Sequence, residues 1–233
     1  MQNNLVKVLD HGFVRLVDHM GSDLSVVRAA RVSYAEEWRA GEDTGSDSRL
    51  INYLWKNKHS TPFEAVTFTF EIKAPIFVFR QWHRHRTWTY NELSGRYREL
   101  PEEFYVPDIT NIGVQSKANK QGRDINVEDV CEYTANREFE LDMFTESCKD
   151  SFRTYKMLLE AGWPKELARS VLPVNTYSHM FATVNMLNLF KFFQLRSHAH
   201  AQYEIRQFSN AMQKLIKDIV PVSYAAFLTT KTD

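Results

Sequence analysis

The sequence predicts a mixed α+β domain in which a small antiparallel sheet packs against long helices. The segment AVTFTFEIKA, from Ala65 to Ala74, alternates apolar and polar side chains with the two-residue period of a half-buried strand. Long stretches in the second half of the chain are instead helix-forming and amphipathic, and no internal repeat is visible. We therefore expect a single domain over residues 1–233, with strands and helices sharing one core.

The composition fits a compact protein without a general preference for polyanions. The 233 residues are 43% hydrophobic and include 29 basic and 29 acidic side chains, so the formal net charge is zero. Zero net charge gives no reason to expect DNA as the main partner, and a basic stretch is then a local feature. Two cysteines are too few for a disulfide framework, and no leader or membrane-spanning run occurs. We expect a cytoplasmic protein.

The first half of the chain contains a hairpin, a helix, the alternating strand and a second helix. LVKVLD and FVRLVD predict an N-terminal hairpin that joins the same sheet. DSRLINYLWKNK has apolar residues at helical spacing with Ser and Asp ahead of it as caps, and it delivers His59 into HSTPFE. Pro75 suits the first turn of a helix that carries IFVFRQWHRHR to its end at Arg86.

The second half is predicted to be an excursion followed by helices. From Pro101 to about Glu128 the chain is rich in Pro, Asn, Gly and Lys and has no period, so residues 107–127 are expected to be a variable, exposed excursion. An amphipathic stretch from about 127 to Gly162 predicts a long helix that ends before a proline. A further helix is predicted from about Met180 to Asp218.

Basic and aromatic residues are concentrated in RQWHRHRTWTYNELSGRYREL, from Arg80 to Leu100. On a helix, Gln81, Arg84 and His85 would share one face and converge on one anion, with Arg86 near the exit. The next segment, NELSGR, offers a serine hydroxyl, a glycine backbone and an arginine fork, which are groups that bind phosphate oxygens. Two anion sites are therefore expected one short loop apart, a layout that suits two phosphate-bearing aromatic ligands.

Other interpretations of the basic stretch remain open at this point. A run of arginines is often a solvated face, and tryptophans are often core residues. The same ingredients over residues 80–98 also fit a nucleic-acid-binding module, because bases stack on aromatic rings. A structural α+β interaction protein is a third possibility.

A second cluster, LRSHAHAQYEIRQF, contains Arg196 and His200 one helical turn apart, so the two would project together. His198 and His200 would point to different sides of that helix, so a metal pair is not expected. Glycine-loop signatures for dinucleotides or phosphates do not occur. Cys131 has acidic neighbours that disfavour a thiolate, so a cysteine nucleophile is not expected.

The segment RHRTWTYNELSGRY resembles the signature of the flavin-dependent thymidylate synthases, the ThyX family, in which Arg-His-Arg is followed by seven residues and Ser. Here seven residues separate Arg86 from Ser94. Four other segments are similar to family segments in family order: RAARVSY, HSTPFEAVTFTFEIKAPIFVFRQW, ELARSVLPVNTY and LRSHAHAQYEIRQF. The resemblance covers nearly the whole chain, apart from the polar excursion after Pro107.

The resemblance implies a ThyX-type fold, a reaction and an assembly. The reaction is reductive methylation of dUMP to dTMP, with methylenetetrahydrofolate as carbon donor and reduced FAD as hydride donor. NADPH re-reduces the flavin, and no enzyme cysteine attacks the uracil ring. The implied assembly is a homotetramer whose active sites are built from several subunits. No metal, nucleic-acid partner or membrane is implied.

The resemblance also implies roles for individual residues. The positions matching the family's dUMP site are Gln81, Arg84, Glu92, Ser94, Gly95, Arg96, Arg169 and Arg196. The positions assigned to FAD are His59, Thr61, Glu64, Arg84, His85, Arg86, Glu92, Asn185 and Lys191. Arg196 matches the residue at the uracil edge, where a fixed positive charge stabilises negative charge on the polarised ring and makes C5 nucleophilic. Arg196 is therefore the implied catalytic residue.

Two positions depart from the family pattern. Lys191 stands where many relatives have an asparagine near FAD. His198 replaces an acidic residue that is often found between the arginine and the histidine of LRSHAH. Both departures alter the expected FAD contacts while leaving the family resemblance intact.

Overall fold

The computed structural model describes residues 4–124 and 136–229. The strands in chain order are β1 (Leu5–Val8), β2 (Gly12–Met20), β3 (Thr67–Pro75), β4 (Thr89–Glu92), β5 (Val114–Gln115), β6 (Arg123–Asp124) and β7 (Tyr177–Asn185). The α-helices are α1 (Asp23–Arg31), α2 (Thr44–Lys56), α3 (Ile76–Trp82), α4 (Arg137–Glu160), α5 (Lys165–Ala168), α6 (Met186–Arg196), α7 (Tyr203–Ile216) and α8 (Pro221–Thr229). No helix in these ranges is long and apolar enough to cross a membrane.

A five-stranded antiparallel sheet organises the molecule, with strand order β1-β2-β3-β7-β4. The predicted N-terminal hairpin and the alternating strand are both confirmed, and β3 lies at the centre of the sheet. The side chains of Phe68, Phe70 and Ile72 lie on the face of β3 that packs into the core, and each is fully buried. The α+β prediction with a small antiparallel sheet is therefore confirmed.

The helix predicted before His59 is confirmed and begins slightly earlier than DSRLINYLWKNK. The Asp43 carboxylate caps it by accepting from the Ser46 backbone N–H at 3.0 Å. At the other end, the His59 N–H donates to the Leu54 carbonyl at 2.9 Å. His59 thus follows α2 directly and lies exposed before the 3₁₀ turn Thr61–Ala65.

The helix after Pro75 is shorter than predicted. Pro75 ends β3 and lies at the N-cap of α3, and α3 ends at Trp82, so the extension to Arg86 is wrong. The Tyr90 hydroxyl donates to the carbonyl oxygens of Trp82 and His85 at 3.1 and 2.8 Å. A helix continuing past His85 would need these carbonyls for its own N–H groups, so the tyrosine favours a turn.

The helix predicted from Met180 to Asp218 is also wrong. Its first part is β7, which pairs with β3 over its whole length, and Met180, Ala182 and Val184 face the core at alternate positions. The remainder is two helices, α6 and α7, separated by residues 197–202. Apolar residues here satisfy both a strand and a helix period, so pairing with the central strand decides the conformation.

The long helix predicted up to Gly162 is confirmed from Arg137 onward, while Cys131 and the earlier part lie outside the described residues. The excursion expected from 107 to 127 is described up to residue 124; this part is mostly surface chain, but it contains the β5-β6 hairpin. Arg123 in this hairpin forms an ion pair with the buried Glu204 of α7 at 2.8 Å. The excursion is thus connected to the helical layer.

Aromatic packing under α3 joins the helices to the sheet. Trp82 is fully buried and stacks on Phe192 of α6 with 4.8 Å between ring centroids. Trp88 meets the same two rings at 5.8 and 5.2 Å. Both tryptophans of the basic stretch are therefore core residues, and the turn that carries Arg84–Arg86 rests on them.

Candidate active site

The residues singled out in the sequence assemble in two places. Glu92, Ser94, Gly95 and Arg169 line one cleft of about 630 Å³ beside α3. Gln81, Arg84 and Arg196 do not line this cleft and gather instead at the C-terminal end of α6. Of the residues predicted to hold one nucleotide, one group therefore lines the cleft and the other does not.

The first group is built where the turn after β4 meets the 3₁₀ turn Arg169–Val171. A Cβ at Gly95 would lie 3.1 Å from the Arg169 Cδ and 3.3 Å from the Leu100 Cδ1. The glycine thus lets the arginine chain approach the backbone closely. Arg96 lies at the edge of this cleft, where its Nε donates to the Glu166 carboxylate at 3.2 Å. Guanidinium groups, a hydroxyl and open backbone are the kinds of donor that bind anions.

The cleft also has lining residues that the sequence did not single out for it. Ser178 donates to the Glu92 Oε1 at 2.7 Å, and the His83 Nε2 lies 4.0 Å from the Glu92 Oε2. Arg80 and Ser170 also line it. Arg80 and His83 belong to the basic stretch, so the concentration of basic residues there is a sequence signal that could have identified them as part of this site. Ser178 carries no local signal, because only the β4-β7 pairing brings it to Glu92.

The second group centres on Arg196, the last residue of α6. Its Nε donates to the His85 Nε2 at 2.9 Å, and its Nη2 donates to the Gln81 carbonyl oxygen at 3.1 Å. Arg84 is close enough for its charge to lower the pKa of Arg196, after the larger effect of burial. The end of α3 and the turn after it thus bring Gln81, Arg84 and His85 to Arg196, although not as one helical face.

His85 is held neutral in this arrangement. Burial, and then the charge of Arg196, lower its pKa from 6.5 to about 4. Since the Nε2 accepts a hydrogen bond from Arg196, the ring proton resides on Nδ1. The imidazole packs edge-on against Phe192 at 4.9 Å. His85 therefore accepts from the Arg196 guanidinium as a neutral ring.

The lowered pKa of His85 predicts a pH-dependent stability. In the unfolded chain this histidine binds a proton below about pH 6.5, whereas in the folded chain it binds one only below about pH 4. The free energy of unfolding therefore falls as the pH falls from 6.5 to 4, and the contribution of neutral His85 is fully present above pH 6.5. We expect His85→Gln to reduce the dependence of Tm on pH between 6.5 and 4. Thermal unfolding across this range checks the prediction, with the exposed-histidine variant His11→Gln as control. Parallel wild-type and His85→Gln profiles would contradict it.

Most of the residues assigned to the flavin by resemblance follow α6 from end to end, whereas Glu92 lines the cleft that contains Ser94. At its N-terminus the Asn185 side chain donates to the Glu64 Oε2 at 3.3 Å and also caps the helix through the Asn188 N–H at 3.0 Å. His59 and Thr61 are exposed just before Glu64, and Lys191 is exposed midway along α6. His85 lies at the far end, about 16 Å away for eleven residues of helix. Arg84 and Arg86 are exposed beside it.

The loop after Arg196 differs from the prediction. Because α6 ends at Arg196, the expected projection of Arg196 and His200 from one helical face is wrong. His198 and His200 do not point to different sides of a helix, since their ring centroids are 4.9 Å apart in the loop. Across the described ranges, no group of three or more His, Cys, Asp and Glu side chains is arranged to hold a metal ion.

Comparison with protein families gives a match over most of the chain. The family described as "Thymidylate synthase complementing protein" matches residues 15–222. The flavin-dependent thymidylate synthase of Thermotoga neapolitana is 45% identical over 223 residues, covering 96% of this chain and 94% of that protein. An enzyme of the same name from Thermus thermophilus is 44% identical, covering 95% of this chain and 77% of that protein.

Solved structures with the same fold include a nucleotide-modifying enzyme. The UMP/dUMP methylase PolB from Streptomyces cacaoi, bound with 5-Br dUMP, superposes with a TM-score of 0.82 at 37% identity. The match covers 96% of this chain and 97% of that one. The same enzyme bound with 5-Br UMP gives a TM-score of 0.83. The fold and the sequence thus point to the same group of proteins.

Proposed function

This chain belongs to the family of flavin-dependent thymidylate synthases, and from this premise we propose how its residues carry out the methylation of dUMP to dTMP. The observation that carries the assignment is Arg196, whose guanidinium is half-buried and fixed by His85 and the Gln81 carbonyl. The carbon donor is methylenetetrahydrofolate, and NADPH is the source of reducing equivalents. The nucleic-acid-binding alternative gains no support from the relatives, which are named as enzymes.

Arg196 acts on the uracil ring through its fixed charge. Negative charge that develops on the ring oxygens and N3 is stabilised by a guanidinium that needs no rearrangement at the moment of reaction. Because neutral His85 and the Gln81 carbonyl accept two of its N–H groups, the remaining donors are directed in a defined way. This polarisation makes C5 nucleophilic without a covalent bond to the enzyme.

The cleft lined by Ser94, Gly95 and Arg169 takes the nucleotide phosphate. A serine hydroxyl, a closely approached glycine backbone and a guanidinium supply the donors that a dianion requires. Arg96 adds a second guanidinium at the rim, where Glu166 holds it at 3.2 Å. Glu92, kept in place by Ser178, offers an acceptor for a sugar or base donor.

The surface along α6 fits FAD. Its donors and cations extend over about 16 Å, from the Glu64–Asn185 pair to Arg84–Arg86, which matches an elongated dinucleotide with a charged pyrophosphate. His59, Thr61 and Lys191 contribute from the exposed side of this row. When bound, the flavin supplies the hydride chemistry, and the protein supplies binding, orientation and charge.

The active enzyme is a homotetramer whose sites combine residues of different subunits. Supporting this, the Arg196 group does not line the phosphate cleft, yet both match positions of a single dUMP site. Pairing two copies would allow the cleft of one to face the Arg196 end of the other. Each chain then contributes half of each of two sites.

Truncation of the phosphate cleft should weaken binding of dUMP. Ser94→Ala removes one donor to a charged group, and we expect a loss of about 1.5–3 kcal/mol in dUMP binding free energy. Titration of each oxidised, flavin-loaded protein with dUMP measures the effect. Ser33→Ala, an exposed serine outside the cleft, is the control. Equal dUMP affinity of Ser94→Ala and wild type would exclude Ser94 from the phosphate site.

The function is tested by an anaerobic assay of the purified protein with FAD, NADPH, dUMP and methylenetetrahydrofolate. We expect NADPH to bleach the flavin absorbance, and the later addition of dUMP and the folate to restore it with formation of dTMP. A protein that takes up no flavin, or that oxidises NADPH without forming dTMP, would overturn the proposal.

A further inference from the structure

Glu204 is a buried carboxylate outside the groups assigned above. It is the second residue of α7, and its side chain is only 2% exposed. Its Oε1 accepts from the Arg123 Nη2 at 2.8 Å and from the Tyr105 hydroxyl at 3.2 Å. Its Oε2 is buried without a hydrogen-bond partner among the described residues. Burial, and then the charge of Glu204, raise the pKa of Tyr105, so this hydroxyl stays protonated and donates.

The cation against Glu204 comes from the excursion, which had been expected to be an exposed and variable segment. Arg123 lies in β6 of the excursion hairpin, residues 114–124. The hairpin is closed by the Ser116 N–H, which donates to the Gly122 carbonyl at 3.0 Å. The Arg123 guanidinium also lies over the Tyr203 ring, 5.4 Å from its centroid. The hairpin is therefore attached to the first turn of α7.

From Glu204 a short chain of contacts leads to the catalytic group. Gln202, two residues before Glu204, accepts a hydrogen bond from the side chain of Gln81. The backbone carbonyl of Gln81, not its side chain, in turn accepts from Arg196. The hairpin and residues 199–206 also enclose a polar cavity of about 460 Å³ that Gln202 lines. A shift of the start of α7 would therefore move Gln202 and the side-chain amide of Gln81 that donates to it. Gln81 is also the residue whose backbone carbonyl binds Arg196.

A buried ion pair of this kind contributes more to geometry than to net stability. Desolvation of two charges offsets most of their attraction, whereas a single unpaired charge left in the same place is strongly unfavourable. The start of α7 is thus held in the one position where Glu204 meets Arg123. The hairpin lies mostly at the surface, yet its Arg123 reaches a carboxylate that is only 2% exposed. This contact fixes the position of the hairpin relative to α7.

We propose that the Arg123–Glu204 ion pair is a positioning device, through which the excursion hairpin holds Gln202, Gln81 and Arg196 in the arrangement that turnover requires. Arg123 and Glu204 touch neither substrate nor cofactor and act through the residues between. The inference rests on the proposed function, since its consequence is measured in dTMP formation.

The test compares three variants of the full chain for kcat, dUMP KM, bound flavin and Tm. Arg123→Met leaves Glu204 unpaired, and we expect kcat to fall at least tenfold while the bound flavin per chain is unchanged. Lys120→Met removes a cation from the exposed turn of the same hairpin and should match wild type. In Arg123→Met/Glu204→Gln no charge is left buried but the ion pair is still missing, so we expect Tm to recover toward wild type while kcat stays at least tenfold low.

The outcomes separate a positioning role from a structural one. Wild-type kcat in Arg123→Met, a parallel loss of kcat and bound flavin, or recovery of kcat in the double variant would each overturn the inference. If Arg123→Met does not fold, Arg123→Lys replaces it, because the ammonium keeps the charge and loses the planar fork. Lowered kcat with normal flavin supports the proposal there, and wild-type kcat overturns it. A wild-type protein that forms no dTMP would instead overturn the proposed function.

Discussion

Replacing Arg196 with alanine should lower the rate of dTMP formation by about 10²–10³-fold, the usual effect of removing one charge-stabilising donor. The variant loses the guanidinium at the end of α6. Among the described residues, it is the only group that donates to both His85 and the Gln81 carbonyl. Flavin content should be retained, because the row of side chains from Glu64 to His85 remains. The measurement is single-turnover dTMP formation by the reduced, flavin-loaded protein. Arg98→Ala, an exposed arginine of the same basic stretch, is the matched control.

The same variant also tests whether active sites are shared between subunits. Arg196→Ala and Ser94→Ala damage opposite halves of the site. If each site combines the Arg196 end of one subunit with the cleft of another, dissociation and reassociation of a mixture would restore some intact sites. We expect the rate of dTMP formation by the reassociated mixture to exceed the sum of the rates of the two variants measured separately. Near-wild-type turnover by Arg196→Ala alone would remove Arg196 from the mechanism, and an additive mixture would argue against shared sites.

Truncating Trp82 to alanine should be the most destabilising single change near the site. The side chain is fully buried and stacked on Phe192, and its loss opens a cavity between α3, α6 and α7. We expect a loss of about 3–5 kcal/mol in the free energy of unfolding. This corresponds to a fall in Tm of ~10 °C or more.

Two variants make the Trp82 result specific. Trp82→Phe retains an aromatic ring in contact with Phe192 and should lose less than half as much stability. Trp163→Ala removes a half-exposed tryptophan and should change Tm little. Thermal and denaturant unfolding of the three proteins measures the difference. A Trp82→Ala protein as stable as Trp163→Ala would show that the aromatic cluster does not support the turn carrying Arg84–Arg86.

Elements with a single dominant pattern could be predicted from the sequence. The alternation of Phe68, Phe70 and Ile72 defines β3, because only a strand sends every second residue to one face. The helix before His59 has apolar residues at helical spacing and an acidic cap, so its local signals agree. The signature around Ser94, with its flanking segments, was enough to indicate the family.

Elements with two compatible patterns could not be predicted. Residues 177–185 are apolar enough for a helix, and they form a strand because β3 offers nine paired positions beside them. The turn after Trp82 depends on the Tyr90 hydroxyl, which caps carbonyls that a longer helix would use. In both cases a partner distant in sequence or outside the local window determined the conformation.

The sequence by itself determined the family, the α+β class and the identity of the charged groups, because each is encoded in residue types at fixed spacing. Only the tertiary structure decided which of those charged side chains lie next to one another. It directs Arg196 at His85, separates that pair from the cleft of Ser94 and Arg169, and joins Arg123 of the excursion to Glu204. These contacts link residues far apart in the chain, and their geometry follows from the packing of helices on the sheet, which no local pattern specifies.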